Sequence, residues 1–290
     1  MRTFGIEEEF IFLKPTTLRP ANVGEALHTE LLGHSAVSRF VSHEFLAAQI
    51  ERSTPVFDRF EQASADLLAF RFRLARAAEA RAVLASGVGA PLQTEGWPEV
   101  TNAERYHTVE TEFWGLVPDH LINGLHVHVG IPNRDTEIHA LNRVRVWLPT
   151  LLALAVNSPF WLGADTGFSS WRSVHMRRWS TIGCPPIFTD AADYDRRIRR
   201  LVGVGGTYDL RTISWNARLA EDHPTVEIRV CDAQLGAPST LLLAALTSAV
   251  VTTALRGGKD IGAERQRAAM RAGGQSALAA LFGHARTAHV

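Results

Sequence analysis

The chain has 290 residues, with 30 basic and 30 acidic side chains, so its formal net charge is zero. A composition 46% hydrophobic and 21% charged is that of an ordinary globular protein. It excludes partners that demand a strong charge imbalance, so neither a nucleic acid nor a membrane surface is expected. Two isolated cysteines, Cys184 and Cys231, exclude a disulfide framework and fit a reducing compartment. The opening MRTFGIEEEF turns acidic too early for a secretory leader. The expected location is the cytoplasm.

Residues 3–13 alternate between apolar and polar side chains and predict a strand whose one face carries Glu7 and Glu9. Pro15 and Pro20 mark a turn. Residues 42–52, with Glu44 and Glu51, are ambiguous between helix and strand. Residues 56–82 show helical spacing through Phe57, Phe60, Leu67, Leu68, Phe72 and Leu74. Ser86 to Pro91 reads as a short strand entering a glycine-rich loop. NGLHVHVGIP at 123–132 predicts a strand. Residues 135–157 predict a helix capped by Asp135, with Leu141, Val144, Leu148, Leu151 and Leu152 as its apolar stripe. Residues 158–188, rich in proline, glycine and tryptophan, predict a long irregular segment of the kind that carries function. Beyond it the pattern predicts a helix over 190–202, strands over 207–215 and 224–231, and helices over 238–256 and 262–281. The apolar run from Leu241 to Leu255 is short for a membrane span and reads as a buried helix. Strict strand–helix alternation is missing, so an α+β sheet with helices on one face is expected.

Three short runs carry chemistry. On a strand, Glu7 and Glu9 stand about 6.5–7 Å apart on the same face, an unfavourable pairing without a cation between them. A solvated edge face is the plain alternative. His126 and His128 in HVH share one strand face, which fits metal ligation as well as ordinary core histidines. Glu227 and Arg229 share a face of TVEIRV, where a simple salt bridge is the alternative. Taken together, a face bearing Glu7, Glu9, His126, Glu227 and Arg229 is too polar to be accidental. Carboxylate and imidazole ligands suit Mg²⁺, with Mn²⁺ as the variant, held together with nucleotide phosphates. No GxxxxGK[ST] loop and no GxGxxG follows a strand, so metals and arginines would have to hold those phosphates.

The sequence resembles the carboxylate–amine ligase family known as glutamate–cysteine ligase type 2. The resemblance rests on FGIEEEF at 4–10, NGLHVHVGIP at 123–132, AVNSPFWLGADTGFSSWR at 155–172 and HPTVEIRVCDAQ at 223–234, with AERQRAAMRAGG at 263–274 a weaker echo. It implies a single catalytic domain over 1–290, built on a curved, mainly antiparallel sheet with helices outside, similar to glutamine synthetase and the guanidino kinases. It also implies ATP-dependent activation of a carboxylate as an acyl phosphate, followed by attack of an amine. Carried over residue by residue, Glu7, Glu9, Glu44, His126 and Glu227 resemble the metal ligands. Glu51 resembles the acid nearer the incoming amine, and Arg229, with Arg218, the arginines that meet ATP. Arg105, Tyr106, Asn157, Ser158, Thr166 and Arg172 resemble the substrate-binding set, an arginine there suiting a bidentate grip on a carboxylate. The chain is shorter than is usual for this family, so part of the nucleotide or substrate enclosure is expected to be either missing or supplied by a second subunit, which leaves a homo-oligomer as an open expectation. Two other readings stand beside the ligase. One is a non-catalytic binding or scaffolding member. The other is an HxH metal hydrolase, disfavoured by the lack of aspartates after HVH.

Overall fold

The computed structural model describes residues 2–33, 40–94 and 96–256, and its central element is the N-terminal strand β1 (Phe4–Leu13). Along β1, Phe4, Ile6, Glu8 and Phe10 are buried, while Gly5, Glu7 and Glu9 are only half-buried. Helix α1 (Gly24–Leu32) leads to β2 (Val41–His43) and β3 (Gln49–Ser53). Helix α2 (Phe60–Glu79), β4 (Leu84–Ser86) and α3 (Glu104–Phe113) precede β5 (Gly124–Gly130). Then come α4 (Arg134–Val144), α5 (Leu148–Ala155), a small hairpin of β6 (Phe160–Trp161) and β7 (Ala164–Asp165), and α6 (Trp171–Met176). Helix α7 (Ala191–Gly203), β8 (Ala217–Leu219), β9 (Thr225–Asp232) and α8 (Ala237–Arg256) complete the described residues.

The main sheet runs β2-β3-β1-β5-β9-β8, with β4 pairing the end of β1 beyond β5. Its pairings are antiparallel, and the architecture is α+β, as the element order predicts. One face is covered by helices. Leu67 of α2, Leu141 and Val144 of α4, Leu151 of α5 and Leu243 and Val251 of α8 close over Phe4, Ile6, Val127 and Ile228 in one apolar cluster. Each such leucine contributes roughly 1.5–3 kcal/mol by leaving water. Helix α8 is by length and composition apolar enough to cross a membrane, with mean hydropathy 1.6. Here it packs against α2, α4 and β5, and it matches the helix predicted over 238–256.

Several predicted elements change shape. Residues 207–215 are not a strand. Asp209 accepts the Thr212 N–H at 2.8 Å while Thr212 Oγ1 accepts the Asp209 N–H at 3.0 Å, and such local bonds compete with a ladder. The strand of this region is β8, further along. The helix predicted over 135–157 divides at 145–147, just before Pro149, which has no N–H to donate. Its cap is Asn133, whose side chain accepts the Thr136 N–H at 2.8 Å, not Asp135. The helix predicted from 56 starts at Phe60, because Phe57 still pairs with Phe4 through two 2.8 Å main-chain bonds. The ambiguous stretch 42–52 resolves into β2, a turn and β3. The strand placed at 86–91 lies at 84–86, and the glycine-rich loop follows it. Helices α1 and α3 have no counterpart in the sequence reading. The predicted helix 262–281 and the 263–274 echo lie outside the described residues.

Candidate active site

The face of the sheet away from the helices collects acids from four segments. Strand register does the placing: Glu7 lies opposite His126, Gly5 opposite His128, Glu9 opposite Glu51, and His128 opposite Glu227. Glu7 Oε2 is 3.0 Å from His126 Nδ1, and Glu7 Oε1 is 3.3 Å from His128 Nε2. Glu9 Oε1 lies 3.6 Å from His126 Nε2, and its other oxygen accepts the Gly124 N–H at 2.6 Å. Glu227 Oε1 lies 3.8 Å from His126 Nδ1. Glu44 follows β2 directly.

A β-bulge completes the set. Between β5 and β9 the register shifts from Leu125↔Cys231 to Val127↔Ile228, which leaves one extra residue on β9 around Arg229 and Val230. Bulges re-aim side chains. Here the Arg229 N–H turns to Asn216 at 2.9 Å while its guanidinium hydrogen-bonds Glu227 and stands 3.3 Å from His126 Nδ1. Arg218 of β8 grips Glu227 from the other side, Nε to Oε2 at 2.6 Å, and spends Nη1 on the carbonyls of Arg211 and Ile213.

The electrostatics divide these carboxylates into two classes. Burial, and then the neighbouring carboxylates, pushes Glu51 well above the ordinary range and Glu44 up to about 8. Burial acts the same way on Glu7, but hydrogen bonds from His126 and His128 outweigh it and hold Glu7 well below that range. Against the same burial, Arg229 and Arg218 hold Glu227 at about 2. His126 is lowered by burial and by Arg229, whereas Glu7 raises His128 despite burial. The face thus holds more carboxylates than it can ionise together. Two ligand groups overlap at one imidazole, Glu7–His126–Glu227 and Glu9–Glu51–His126, the ligand atoms of each lying within 4.8 Å of one another. This donor set fits hard divalent cations, whose charge would relieve the mutual repulsion.

Beside the acids opens a cavity of about 170 Å³ lined by Glu9, Glu44, Arg105, Tyr106, Arg172 and Arg229, with Phe45, Ile122 and Trp179 as apolar walls. Arg105 reaches it while paired to Asp209 at 3.0 Å, and the Tyr106 hydroxyl donates to the His43 carbonyl at 2.9 Å. The other substrate candidates separate. Asn157 spends its amide on the carbonyls of Gly87 and Ala233, Ser158 Oγ donates to Asp232 at 2.7 Å, and Thr166 Oγ1 donates to Pro159 at 2.8 Å. Only Arg172 among these four lines the cavity.

Two functional positions carried no separate signal. Buried Asp232, at the end of β9, accepts from the Asn157 N–H, Ser158 and Ser170, and so ties the 157–172 segment to the sheet. A Cβ on Gly124 would sit 2.6 Å from Arg172 Nη2 and 2.9 Å from His126 Nε2. Both lie in runs that the resemblance uses, CDAQ and NGLHVHVG, and only the motif membership could have pointed to them.

Comparison with known proteins bears on the family and the fold. A profile described as glutamate-cysteine ligase family 2 matches residues 3–280. A protein of Saccharopolyspora erythraea named as a candidate glutamate–cysteine ligase 2-2 is 38% identical over 266 residues, 91% of this chain and 67% of its own length. One from Nocardia farcinica, named as a candidate glutamate–cysteine ligase 2-1, is 37% identical over 88% of this chain and 66% of its own length. The chain therefore spans about two thirds of the length of these relatives. Among solved structures, a bifunctional glutathione synthetase from Pasteurella multocida superposes with TM-score 0.67 at 13% identity, over 95% of this chain and 42% of that one. A glutamate–cysteine ligase from Francisella tularensis in complex with AMP gives 0.60 at 13% identity, over 97% and 71%. A Plasmodium falciparum glutamine synthetase gives 0.52 at 11% identity, over 89% and 52%. At these identities the structural likeness speaks for the fold.

Proposed function

The chain belongs to glutamate–cysteine ligase family 2, and from that premise we propose that it is an ATP-dependent carboxylate–amine ligase acting on small molecules. The observation that carries the reading is the pair of acid–imidazole groups sharing His126 beside a cavity lined by arginines. Glu7, Glu9, Glu51, His126 and Glu227 would hold Mg²⁺ or Mn²⁺. Bound there, the cation would neutralise the triphosphate charge that opposes phosphoryl transfer. Arg229, fixed by Glu227 and lining the same cavity, offers its guanidinium to the transferring phosphoryl oxygens. Arg172 and Arg105 line the same cavity and would grip the carboxylate substrate.

The proposed reaction converts the carboxylate to an acyl phosphate. The amine then attacks its carbonyl, and amide, ADP and phosphate are formed. An acyl phosphate hydrolyses readily, and Phe45, Ile122 and Trp179 would shield it on their side of the cavity. Geometry supports exchanging the roles expected of the second acidic pair. Glu51 groups with Glu9 and His126, whereas Glu44 lines the cavity, where its carboxyl would meet the incoming amine once a bound cation has favoured its ionised form. The proposed unit is one catalytic domain working in the cytoplasm, a reading supported by the profile match over 3–280 and by two unpaired cysteines.

The test is ADP release from ATP and Mg²⁺ in the presence of pooled amino acids and amines, with products identified by mass spectrometry. An amide product whose formation tracks ADP supports the proposal. ADP release unaffected by any carboxylate–amine pair, or no release at all, refutes it.

A further inference from the structure

Behind the acidic cavity lies a second chamber of about 300 Å³, and no carboxylate lines it. Its polar lining is Arg172, Arg177, Arg229, Ser173, Ser214 and Asn216. Arg172, Met176, Ser214 and Arg229 line both chambers, so they form the partition. Arg172 is only 6% exposed, yet its guanidinium is weakly engaged. Nη1 and Nη2 reach the carbonyls of Val230 and Arg229 at 3.4 and 3.3 Å, Asp232 stands 3.8 Å away, and buried Nε meets no acceptor. A buried cation so poorly satisfied is expensive unless an anion joins it.

The surrounding charge points the same way. Arg218 and Arg229 both pair with Glu227, and Arg172 has Asp232. Arg177, at the mouth, stands in no ion pair among the described residues. Of the three guanidinium groups that line the chamber, Arg229 is turned to the acid cluster, Arg172 has only a distant Asp232 and Arg177 has no acid, so the chamber itself is left cationic. Water occupies about 30 Å³ per molecule in the liquid, so a tetrahedral oxyanion fits the chamber with room for its solvent. Guanidinium forks with hydroxyl donors suit oxyanions rather than apolar groups.

We infer that this chamber is an oxyanion site for inorganic phosphate, held apart from the acid cluster by the Arg172–Arg229 partition. Its assignment as the resting place of the released phosphate rests on the proposed ligase reading; the binding itself does not.

The experiment is a calorimetric titration of the full chain with sodium phosphate, against sodium chloride at matched ionic strength, with EDTA and without ATP. Wild type is expected to bind phosphate saturably. Arg177→Ala should weaken binding at least about tenfold, the scale of one lost charge-assisted contact, and Arg177→Lys should recover part of it. Arg177 is exposed, so all three proteins should melt alike. No heat beyond the chloride control, or equal affinity in Arg177→Ala, overturns the inference. So does glutarate that binds and excludes phosphate, since the chamber would then belong to a substrate carboxylate. Phosphate binding without any ligation would sink the proposed function and leave this inference standing.

Discussion

Gly124→Ala places one methyl group at the crossing of two site residues. The new Cβ would meet Arg172 Nη2 at 2.6 Å and His126 Nε2 at 2.9 Å, whereas comfortable contact needs about 3.5–4 Å. The guanidinium and the imidazole must each retreat by roughly 1 Å. The cost in stability is small. Arg172 gives up two long bonds to carbonyls, each worth roughly 0.5–1.5 kcal/mol net. Alanine in place of glycine returns about 0.4–1 kcal/mol by restricting the unfolded chain. The cost in rate is large, because a displacement of this size can lower turnover about 10²-fold. The expected result is a melting temperature within a few degrees of wild type and ATP-dependent ligation reduced by about two orders of magnitude. Melting curves and ADP release on the same preparations measure both. Wild-type turnover in a folded Gly124→Ala protein would refute the placement of Arg172 and His126 at the reacting centre. Unfolding would show that the contact is structural.

Glu51→Gln removes a carboxyl that burial, and then its acidic neighbours, hold well above the ordinary range. Without metal its melting temperature should equal or exceed wild type, while the Mg²⁺-induced increase shrinks; a lower metal-free value contradicts the repulsion argument. Arg71→Met strands Glu8, which is buried and bonded to Arg71 at 2.6 Å and to Thr240 at 2.7 Å. A loss of about 3–5 kcal/mol in denaturant unfolding is expected, with Glu8→Gln/Arg71→Met recovering much of it, and equal losses in the single and double variants would exclude the pairing. Burial holds His120 at about 3 and His175 at about 4, so the folded chain refuses protons that the unfolded chain accepts below about 6.5. Their contribution is complete above pH 6.5 and drains away as pH falls towards 4. Between pH 6.5 and 5 the melting temperature should decline, and His175→Leu should flatten the slope; identical slopes would remove His175 from the account.

Strands and their faces were legible because one covered face enforces a period of two. That is why Glu7, Glu9, His126, Glu227 and Arg229 could be grouped before any coordinates. Strand order was not legible, since β1 meets β3 and β5 through pairings that no local pattern encodes. The bulge at Arg229 is equally silent, because TVEIRV alternates whether or not one residue is looped out. Residues 207–215 read as a strand from their alternation, while Asp209 and Thr212 bond each other instead. Asn157, Ser158 and Thr166 illustrate a different gap: a polar loop side chain looks the same in sequence whether it faces a ligand or anchors the main chain.

The run Glu7-Glu8-Glu9 has a consequence for how the chain tolerates change. Its middle acid points into the helical layer and is met there by Arg71 and Thr240, while the outer two face the open side. Sliding β1 by one residue would thrust two carboxylates into a layer equipped for one and carry Phe4, Ile6 and Phe10 to the open face. The misaligned strand is thus penalised twice, once by unpaired charge and once by exposed rings. A single-residue insertion or deletion between 4 and 10 should be far less tolerated than any substitution there. During folding, the same asymmetry would reject wrong alignments before the outer strands dock, so the acidic run serves as an alignment key for the whole sheet.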